Sequence, residues 1–106
     1  MFQIKKRDGR IEAYQRDKAL RSIQVACQKR PVTIDQIEGL LARIERETQD
    51  NAERVVTSEK LGGMILSALT LMDKVAYVRF ASVYKDFRDT EQFMQELSAI
   101  QTPPTT

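Results

Sequence analysis

The sequence predicts an α+β domain in which a β-sheet of two or three strands caps a small helical bundle of four or five helices. Length and composition support one domain, because 106 residues with 42% hydrophobic content can form one modest core and are too apolar for a disordered chain. Near the start, two short alternating segments flank an Asp-Gly pair, and later segments repeat apolar residues at helical spacing. We expect this domain to occupy residues 1–100 and a disordered tail to occupy residues 101–106.

The first predicted element is a hairpin that turns at Asp8 and Gly9. This pair suits a two-residue type I′ turn, which needs positive φ at both central positions. Side chains alternate across a sheet, so the pairing that follows from this turn defines two faces. One face is predicted to carry Phe2, Ile4, Lys6, Ile11 and Ala13. The other is predicted to carry Lys5, Arg7, Arg10 and Glu12.

Two helices are predicted after the hairpin. The first carries apolar residues up to Cys27 at helical spacing and is expected to end near Arg30, because the following proline disfavours helix at the residue before it. The second opens on a capping box formed by Thr33 and Gln36. Its apolar face is predicted to consist of Ile34, Ile37, Leu40, Leu41 and Ile44.

A short third strand is predicted at residues 55–56, and Thr57 or Ser58 is predicted to cap the helix that follows. The apolar side of this helix is predicted to carry Leu61, Ile65, Leu69 and Met72. Gly62 and Gly63 lie in its first turns, where each glycine costs about 1 kcal/mol relative to alanine. Close approach of another helix or of a ligand would explain the pair, and the sequence favours the helix.

Residues 75–84 are apolar almost all round, which predicts the most buried helix of the bundle. Tyr77 and Tyr84 share one face of it. Core packing is the favoured interpretation of that face, and the alternative is that one phenol borders a base or binds a ribose. Arg79 falls on a polar stripe and is predicted to lie on the surface. A capping pattern opens a last amphipathic segment at residues 89–100.

Composition excludes several kinds of site. The chain has no histidine, so imidazole catalysis and histidine-ligated metals are excluded. The single Cys27 can form neither an intrachain disulfide nor a four-thiolate zinc site, and we expect it to be a small apolar helix residue. No apolar run approaches the roughly 20 residues of a membrane helix, and no secretion signal is present, so we expect a cytoplasmic setting without a membrane partner.

Positive charge is concentrated at the start of the chain. Residues 1–30 hold nine Lys and Arg against three Asp and Glu, whereas residues 31–106 hold eight against twelve. An anionic partner such as nucleic acid, phosphate or nucleotide would explain this asymmetry, and a solvated basic surface is the alternative. The glycine-rich phosphate loops of common nucleotide-binding folds are absent from the sequence. Side chains would therefore have to hold any phosphate.

Two features place a candidate anion site between the hairpin and the first helix. Lys6 is predicted on the apolar face, where an ammonium group needs a partner or a bound anion unless its head reaches water. Arg16 and Lys18 lie in the first turn of the helix, where the positive end of the macrodipole disfavours cations. A bound anion would reverse that effect, and Asp17 with solvation is the alternative. The coincidence of the two features favours an anion site.

These residues also carry a family resemblance. The pattern Lys6-Arg7-Asp8-Gly9-x-x-Glu12, followed by Lys18, resembles the ATP-cone, a regulatory nucleotide-binding domain. One branch of that family is the cone of the bacterial transcriptional repressor of ribonucleotide reductase genes. Similarity to that branch rests on Lys-Arg-Pro-Val at 29–32, Ser-Glu-x-x-Gly at 58–62 and Val-Ala-Tyr-Val-Arg-Phe-Ala-Ser-Val-Tyr at 75–84. The resemblance covers about residues 3–97.

The resemblance implies a four-helix bundle with a three-stranded sheet that binds ATP or dATP with Mg²⁺ and catalyses no reaction. It implies phosphate contacts from Lys6, Arg7 and Lys18, and a nucleoside contact from Glu12. Weaker implied contacts are those of Thr57, Ser58 and Tyr77. The repressors carry a zinc ribbon with Cys-x-x-Cys pairs ahead of the cone. Because this chain has a single cysteine, we expect no zinc site in it. DNA binding is expected only if a longer chain supplies the ribbon.

The expected function is therefore that of a nucleotide sensor that controls homo-oligomerisation. Two alternatives stay open: the activity-regulating cone of a ribonucleotide reductase, and a basic nucleic-acid-binding module without a nucleotide site. The apolar side chains of the third and last helices are candidates for contacts between copies. The alternative is that they belong to the core. They include Met64, Leu66, Met94 and Ile100.

Overall fold

The computed structural model describes residues 2–50 and 53–84. Its elements, in chain order, are β1 (Gln3–Lys5), β2 (Ile11–Ala13), α1 (Arg16–Ala26), α2 (Ile34–Gln49), β3 (Val55–Thr57), α3 (Ser58–Met72) and α4 (Lys74–Tyr84). The three strands form one sheet in the order β2-β1-β3, and four helices accompany it in this part of the chain. The α+β prediction is confirmed, including the third strand. The segment 89–100 and the tail lie outside the described residues.

The hairpin register differs by one residue from the prediction. Ile4 lies opposite Glu12 in the antiparallel β1–β2 pair, and β1 also pairs with β3 in parallel. The loop has three residues rather than two, since the Lys6 N–H donates to the Arg10 carbonyl at 2.8 Å. Glu12 therefore shares the face of Ile4, whereas Ile11 is 55% exposed.

The side chain of Asp8 explains why the predicted type I′ turn does not form. Its carboxylate accepts a hydrogen bond from the Arg10 backbone N–H at 3.0 Å, an interaction with the residue two positions on that is typical of aspartate turns. Gly9 alone of the Asp-Gly pair has positive φ, at 91°. A three-residue loop with one left-handed glycine results.

Two apolar clusters form the core. The larger lies between the helices and includes Ile23, Leu41 and Leu69, together with Cys27, which directly follows α1 instead of lying within the helix as predicted. The smaller lies beneath the sheet and consists of Phe2, Ile4, Tyr14 and Val56. Ala19 of α1 and Leu61 of α3 pack against both clusters. These two helices therefore attach the sheet to the bundle.

Helix α1 ends at Ala26 rather than near Arg30. Beyond this end, Nη1 of Arg79 on α4 donates to the Gln28 carbonyl oxygen at 2.6 Å. Arg30 in turn donates through Nε to the Asp73 carboxylate at 3.0 Å. These two contacts bind the loop after α1 to the middle of α4 and to Asp73, which precedes that helix. Arg79 is exposed, as predicted, but it also has this bridging contact.

The start of α2 follows the prediction closely. The Gln36 N–H donates to the Thr33 hydroxyl at 3.1 Å, and the Thr33 N–H donates to the Gln36 side-chain oxygen at 2.8 Å, which completes the capping box. Ile34 is an exception on the predicted apolar face. It occupies the first position of the helix and is 54% exposed.

The prediction that residues 75–84 form the most buried helix is wrong. Ala76 and Ala81 are fully buried, but Val83 is 83% exposed and Val75 is also exposed. Helix α4 packs against α1 and α3, so its remaining side faces solvent in the described part of the molecule. Within that part, no helix has the length and apolar character needed to cross a membrane.

Candidate functional site

A pocket of about 250 Å³ lies where the sheet meets α1 and α3. Its lining contains apolar side chains from the sheet and three helices, namely Ile4, Tyr14, Ala19, Leu61, Ile65 and Phe80. The polar side chains that line it are Lys6, Glu12, Gln15, Lys18, Ser22 and Ser58. The pocket thus combines an apolar surface with two cations and one carboxylate. It lies at the seam between the hairpin and α1, where the sequence predicted an anion site.

Lys6 and Glu12 meet at this pocket because of the hairpin register. The Lys6 Nζ lies 3.8 Å from the Glu12 Oε2, and the two side chains are each a little under half exposed. Lys6 is therefore neither a buried isolated ammonium nor a fully solvated one. The two-residue loop predicted from the sequence would have placed Glu12 on the opposite face of the sheet.

The two cations at the start of α1 diverge. Lys18 lines the pocket, is exposed, and has no hydrogen-bond or ion-pair partner within residues 2–50 and 53–84. Arg16 instead donates through Nε to the Glu45 carboxylate on α2 at 3.1 Å. Glu45 balances the charge of Arg16, a role for which the sequence suggested Asp17 as the alternative to an anion. Of this pair, Lys18 alone is available to a ligand in the pocket.

A shallow groove of about 410 Å³ adjoins the pocket and shares Lys6 and Ser58 with it. Arg7 lies in this groove rather than in the pocket. Its Nε is 3.4 Å from a carboxylate oxygen of Glu59, and both side chains are about two-thirds exposed. Arg10 also lines the groove, so three cationic side chains border it.

The start of α3 supplies one wall of the pocket. Thr57 is the N-cap, and its hydroxyl accepts a hydrogen bond from the Lys60 N–H at 3.0 Å. Ser58 and Gly62 line the pocket. A side chain at Gly63 would meet no atom within 4 Å, so close approach of another helix does not explain that glycine. Gly62 lines the pocket, so the ligand alternative stays open at that position.

Tyr77 does not line the pocket. It is partly buried and packs against the larger core cluster, in line with the favoured interpretation from the sequence. The side chain of Tyr84 lies outside the described part of the molecule. Phe80 is the aromatic residue of α4 that reaches the pocket. Its place in the sequence, three residues after Tyr77, gave no separate signal of this role.

Tyr14 is a pocket residue that sequence reasoning missed. Its ring stacks on Phe2 with centroids 4.3 Å apart, and its hydroxyl donates to Glu45 Oε2 at 2.6 Å. Burial, and then the hydrogen bond to Glu45, raise the pKa of Tyr14 well above its ordinary value. The phenol therefore stays a hydrogen-bond donor at all physiological pH. Strand alternation places Tyr14 on the face of Glu12, which the predicted register put on the opposite side of the sheet from Ile4, so the wrong register concealed the role of Tyr14.

The described residues contain no group of three or more Cys, Asp or Glu side chains that could hold a metal ion. Glu12 is the carboxylate in the lining of the pocket. A divalent cation at this site would therefore need most of its ligands from another source, such as phosphate oxygens and water.

Comparison with known proteins identifies the family. Residues 2–90 match the ATP cone domain. The chain is 48% identical to the transcriptional repressor NrdR of Sorangium cellulosum over 97 residues, and this alignment covers 92% of the chain and 63% of the relative. It is 51% identical over 100 residues to NrdR of Psychrobacter cryohalolentis, which covers 94% and 66%, respectively. NrdR of Exiguobacterium sibiricum is 45% identical over 97 residues, which covers 92% and 61%.

The chain therefore spans slightly less than two thirds of the length of the curated relatives it matches. The resemblance expected from the hairpin motif and from residues 75–84 is confirmed. With the match extending over most of its length, this chain belongs to the ATP-cone domain family.

Proposed function

We propose that this chain binds ATP or dATP in the pocket and is the nucleotide-sensing regulatory domain of a transcriptional repressor. One observation carries the proposal: Lys6, Lys18 and Ser58, from three different elements, line a single pocket with an apolar surface. Membership in the ATP-cone family supports adenine nucleotides as the ligand class. The names of the relatives support a role in transcriptional repression.

The shape of the site favours a nucleoside in the pocket and a triphosphate that extends outward. Small-molecule pockets typically enclose about 300–1,000 Å³, so a pocket of about 250 Å³ encloses part of a nucleotide. Its apolar side chains suit a base, and the Glu12 carboxylate can accept a hydrogen bond from a ribose hydroxyl or a base amino group. Lys6 lies at the junction of pocket and groove, and Arg7 lies in the groove, where phosphates would follow.

The cations of the groove are held by partners that a phosphate can displace. Lys6 and Arg7 pair with Glu12 and Glu59 at 3.8 and 3.4 Å, in side chains at least 42% exposed. Exposed ion pairs of this kind contribute about 0–1 kcal/mol. A triphosphate offers more charge and better hydrogen-bond geometry to the same cations. Lys18, which has no partner in the described part of the chain, can turn to the phosphates without breaking a contact.

Two residues implied by the family resemblance have a supporting place in this proposal. The Thr57 hydroxyl caps α3 and thereby fixes the position of Ser58 in the pocket wall. Tyr77 packs in the core on the helix that carries Phe80. Mg²⁺ would reach the site bound to the phosphates, with Glu12 as the nearest carboxylate of the lining.

Control of oligomerisation is the regulatory output we propose. Leu66 is 5% exposed and Met64 packs against the larger core cluster, so these two candidates serve the core. Leu71 and Val83 are 91% and 83% exposed and are better suited to contacts between copies. Met94 and Ile100 lie outside the described residues. Specific DNA recognition would come from the remaining third of a longer repressor.

Thermal unfolding with and without ligand tests the proposal. Bound ligand at 100 times its Kd stabilises a domain by about 2.7 kcal/mol, which raises Tm by on the order of 10 °C at this size. We expect such a rise with ATP and with dATP in the presence of Mg²⁺. The absence of any shift at millimolar nucleotide would refute the proposed function.

A matched pair of variants on α1 locates the site. Lys18 lines the pocket, whereas Arg21 is exposed and lies outside it. We expect Lys18→Ala to weaken ATP binding measured by calorimetry and Arg21→Ala to leave it unchanged. Equal affinities for the two variants would place the nucleotide elsewhere.

A further inference from the structure

Glu45 lies on α2, outside the pocket, and binds both sides of the junction that joins β2 to α1. Its Oε2 accepts the hydrogen bond from the Tyr14 hydroxyl at 2.6 Å. Its Oε1 accepts the hydrogen bond from Arg16 Nε at 3.1 Å. The Glu45 side chain is 13% exposed. One carboxylate therefore connects two residues that flank Gln15, the residue before α1.

This connection replaces an ordinary helix cap. Gln15 occupies the N-cap position of α1 and makes no side-chain capping hydrogen bond. The start of the helix is held instead by Arg16, the first helical residue, through its contact with α2. A largely buried carboxylate is stable when hydrogen bonds satisfy its oxygens, and here each oxygen of Glu45 has a donor.

The segment that Glu45 holds carries much of the pocket. Half of the lining residues lie within residues 12–22. Glu12 precedes Tyr14 by two residues, and Lys18 follows Arg16 by two residues. The Tyr14 ring is itself part of the lining and is stacked on Phe2 from the other side. A movement of the junction would therefore displace the two charged groups of the pocket that come from this segment.

We infer that Glu45 is a positioning residue for nucleotide binding, which holds residues 12–18 in place through Tyr14 and Arg16 without touching the ligand. The inference rests on the proposed function for its ligand, and on the geometry of the junction for its mechanism. Glu45 acts as a structural link between α2 and the pocket. Affinity for nucleotide then depends on a helix that contributes no residue to the lining in the described part of the chain.

The experiment compares Glu45→Ala and Tyr14→Phe with Glu47→Ala as the matched control. Glu47 lies on the same helix, is exposed, and has no partner within the described residues. Calorimetry with ATP and Mg²⁺ gives the affinity, at a temperature where circular dichroism shows each variant fully folded. Hydrogen exchange of the backbone amides of residues 19–21, the first hydrogen-bonded amides of α1, reports on the junction when measured without nucleotide.

We expect Glu45→Ala and Tyr14→Phe to bind ATP about tenfold more weakly, equivalent to ~1.4 kcal/mol, while the control binds like the unmodified chain. Exchange of the α1 amides should be roughly tenfold faster in Glu45→Ala, because the first turn loses its anchor. Adding Tyr14→Phe to Glu45→Ala should cost little more affinity, because residues that act through one contact are not additive.

Unchanged affinity in a folded Glu45→Ala variant, with only a lower Tm, would overturn the inference and leave Glu45 a stabilising residue. A fully additive double variant would also overturn it. If Glu45→Ala does not fold, Tyr14→Phe decides both measurements, since it removes one hydroxyl and keeps the stacked ring. If the unmodified chain binds no nucleotide, the proposed function fails, and unchanged amide exchange would separately refute the positioning of the junction.

Discussion

The Lys6 ammonium lies 3.8 Å from the Glu12 carboxylate, and both side chains line the pocket. Lys6 directly follows β1 and Glu12 lies in β2, and they meet because Ile4 is opposite Glu12, which places both charged residues on the face of Ile4. Both members of this ion pair could contact the proposed nucleotide. The cation can turn to phosphate, and the carboxylate released can accept hydrogen bonds from the nucleoside.

Lys6→Ala should weaken ATP binding by roughly 10- to 100-fold, because a hydrogen bond to a charged group contributes about 1.5–3 kcal/mol. Lys5→Ala is the matched control. Lys5 is adjacent in β1, exposed, and points to the opposite face of the sheet. Calorimetry of both variants checks the prediction. Equal losses would indicate a general effect of positive charge rather than a phosphate contact at Lys6.

Glu12→Gln should reduce the preference of the site for a nucleoside triphosphate over inorganic tripolyphosphate. Glu12 pairs with Lys6 and with Arg10, and Arg10 also pairs with Asp8 at 2.7 Å, so neutralising Glu12 leaves Lys6 free for any phosphate. The nucleoside in turn loses a charged acceptor. The measured quantity is the ratio of the two dissociation constants. A ratio identical to that of the unmodified chain would mean that Glu12 makes no nucleoside contact.

The hairpin illustrates how far the sequence predicts the site. The Asp-Gly pair correctly predicted a turn, and alternation correctly predicted Ile4 as a core residue. The pair did not reveal the loop length, because the Asp8 side chain competes with the type I′ geometry by accepting from the Arg10 N–H. A shift of one residue in the strand register moves every side chain of that strand to the opposite face of the sheet. Glu12 was therefore identified from the family resemblance and not from the predicted pairing.

Contacts between distant elements were beyond sequence reasoning. Helix periodicity placed Glu45 on α2 but could not show that its carboxylate meets Tyr14 and Arg16, about 30 positions earlier. The capping box of α2 was predictable because its two residues are three positions apart. Local patterns thus predicted the elements, and long-range polar contacts decided how the pocket is held.

Asp73→Asn should destabilise the fold at neutral pH by about 1–3 kcal/mol, because Asp73 is buried and accepts from Arg30 and from the Ala76 N–H. Burial alone raises the pKa of Asp73, but the hydrogen bonds from Ala76 and Arg30 outweigh it and lower the pKa below its ordinary value. Asn keeps an oxygen for the Ala76 N–H and loses the charge.

The lowered pKa sets the pH dependence of this effect. A carboxylate with a depressed folded-state pKa contributes stability above its unfolded pKa of ~3.9 and loses it as the pH falls through the folded value. The difference between Asp73→Asn and the unmodified chain should therefore be largest near pH 7 and shrink below about pH 4. Urea unfolding at several pH values measures it. Asp17→Asn, at an exposed position of α1, serves as the control.

Nucleotide identity should change the oligomeric state of this chain. ATP and dATP differ by one 2′-hydroxyl, and a single polar contact made or lost there contributes about 1–2 kcal/mol, close to a tenfold difference per site. Complete conversion between two states requires differential binding of about 10⁴-fold. One site therefore falls short, whereas about four coupled sites in a symmetric assembly would reach that ratio.

Size-exclusion chromatography with light scattering of the ligand-free, ATP-bound and dATP-bound chain measures this prediction. We expect the three samples to differ in mass, and we expect Leu71→Ser, at a 91% exposed apolar position of α3, to shift the assembly toward smaller species. Val25→Ser, at another exposed apolar position, on α1, is the comparison that shows whether the contact is specific to one face. Because coupling between copies supplies the missing free energy, a monomer under all three conditions would mean that the 2′-hydroxyl alone cannot operate a switch in this chain.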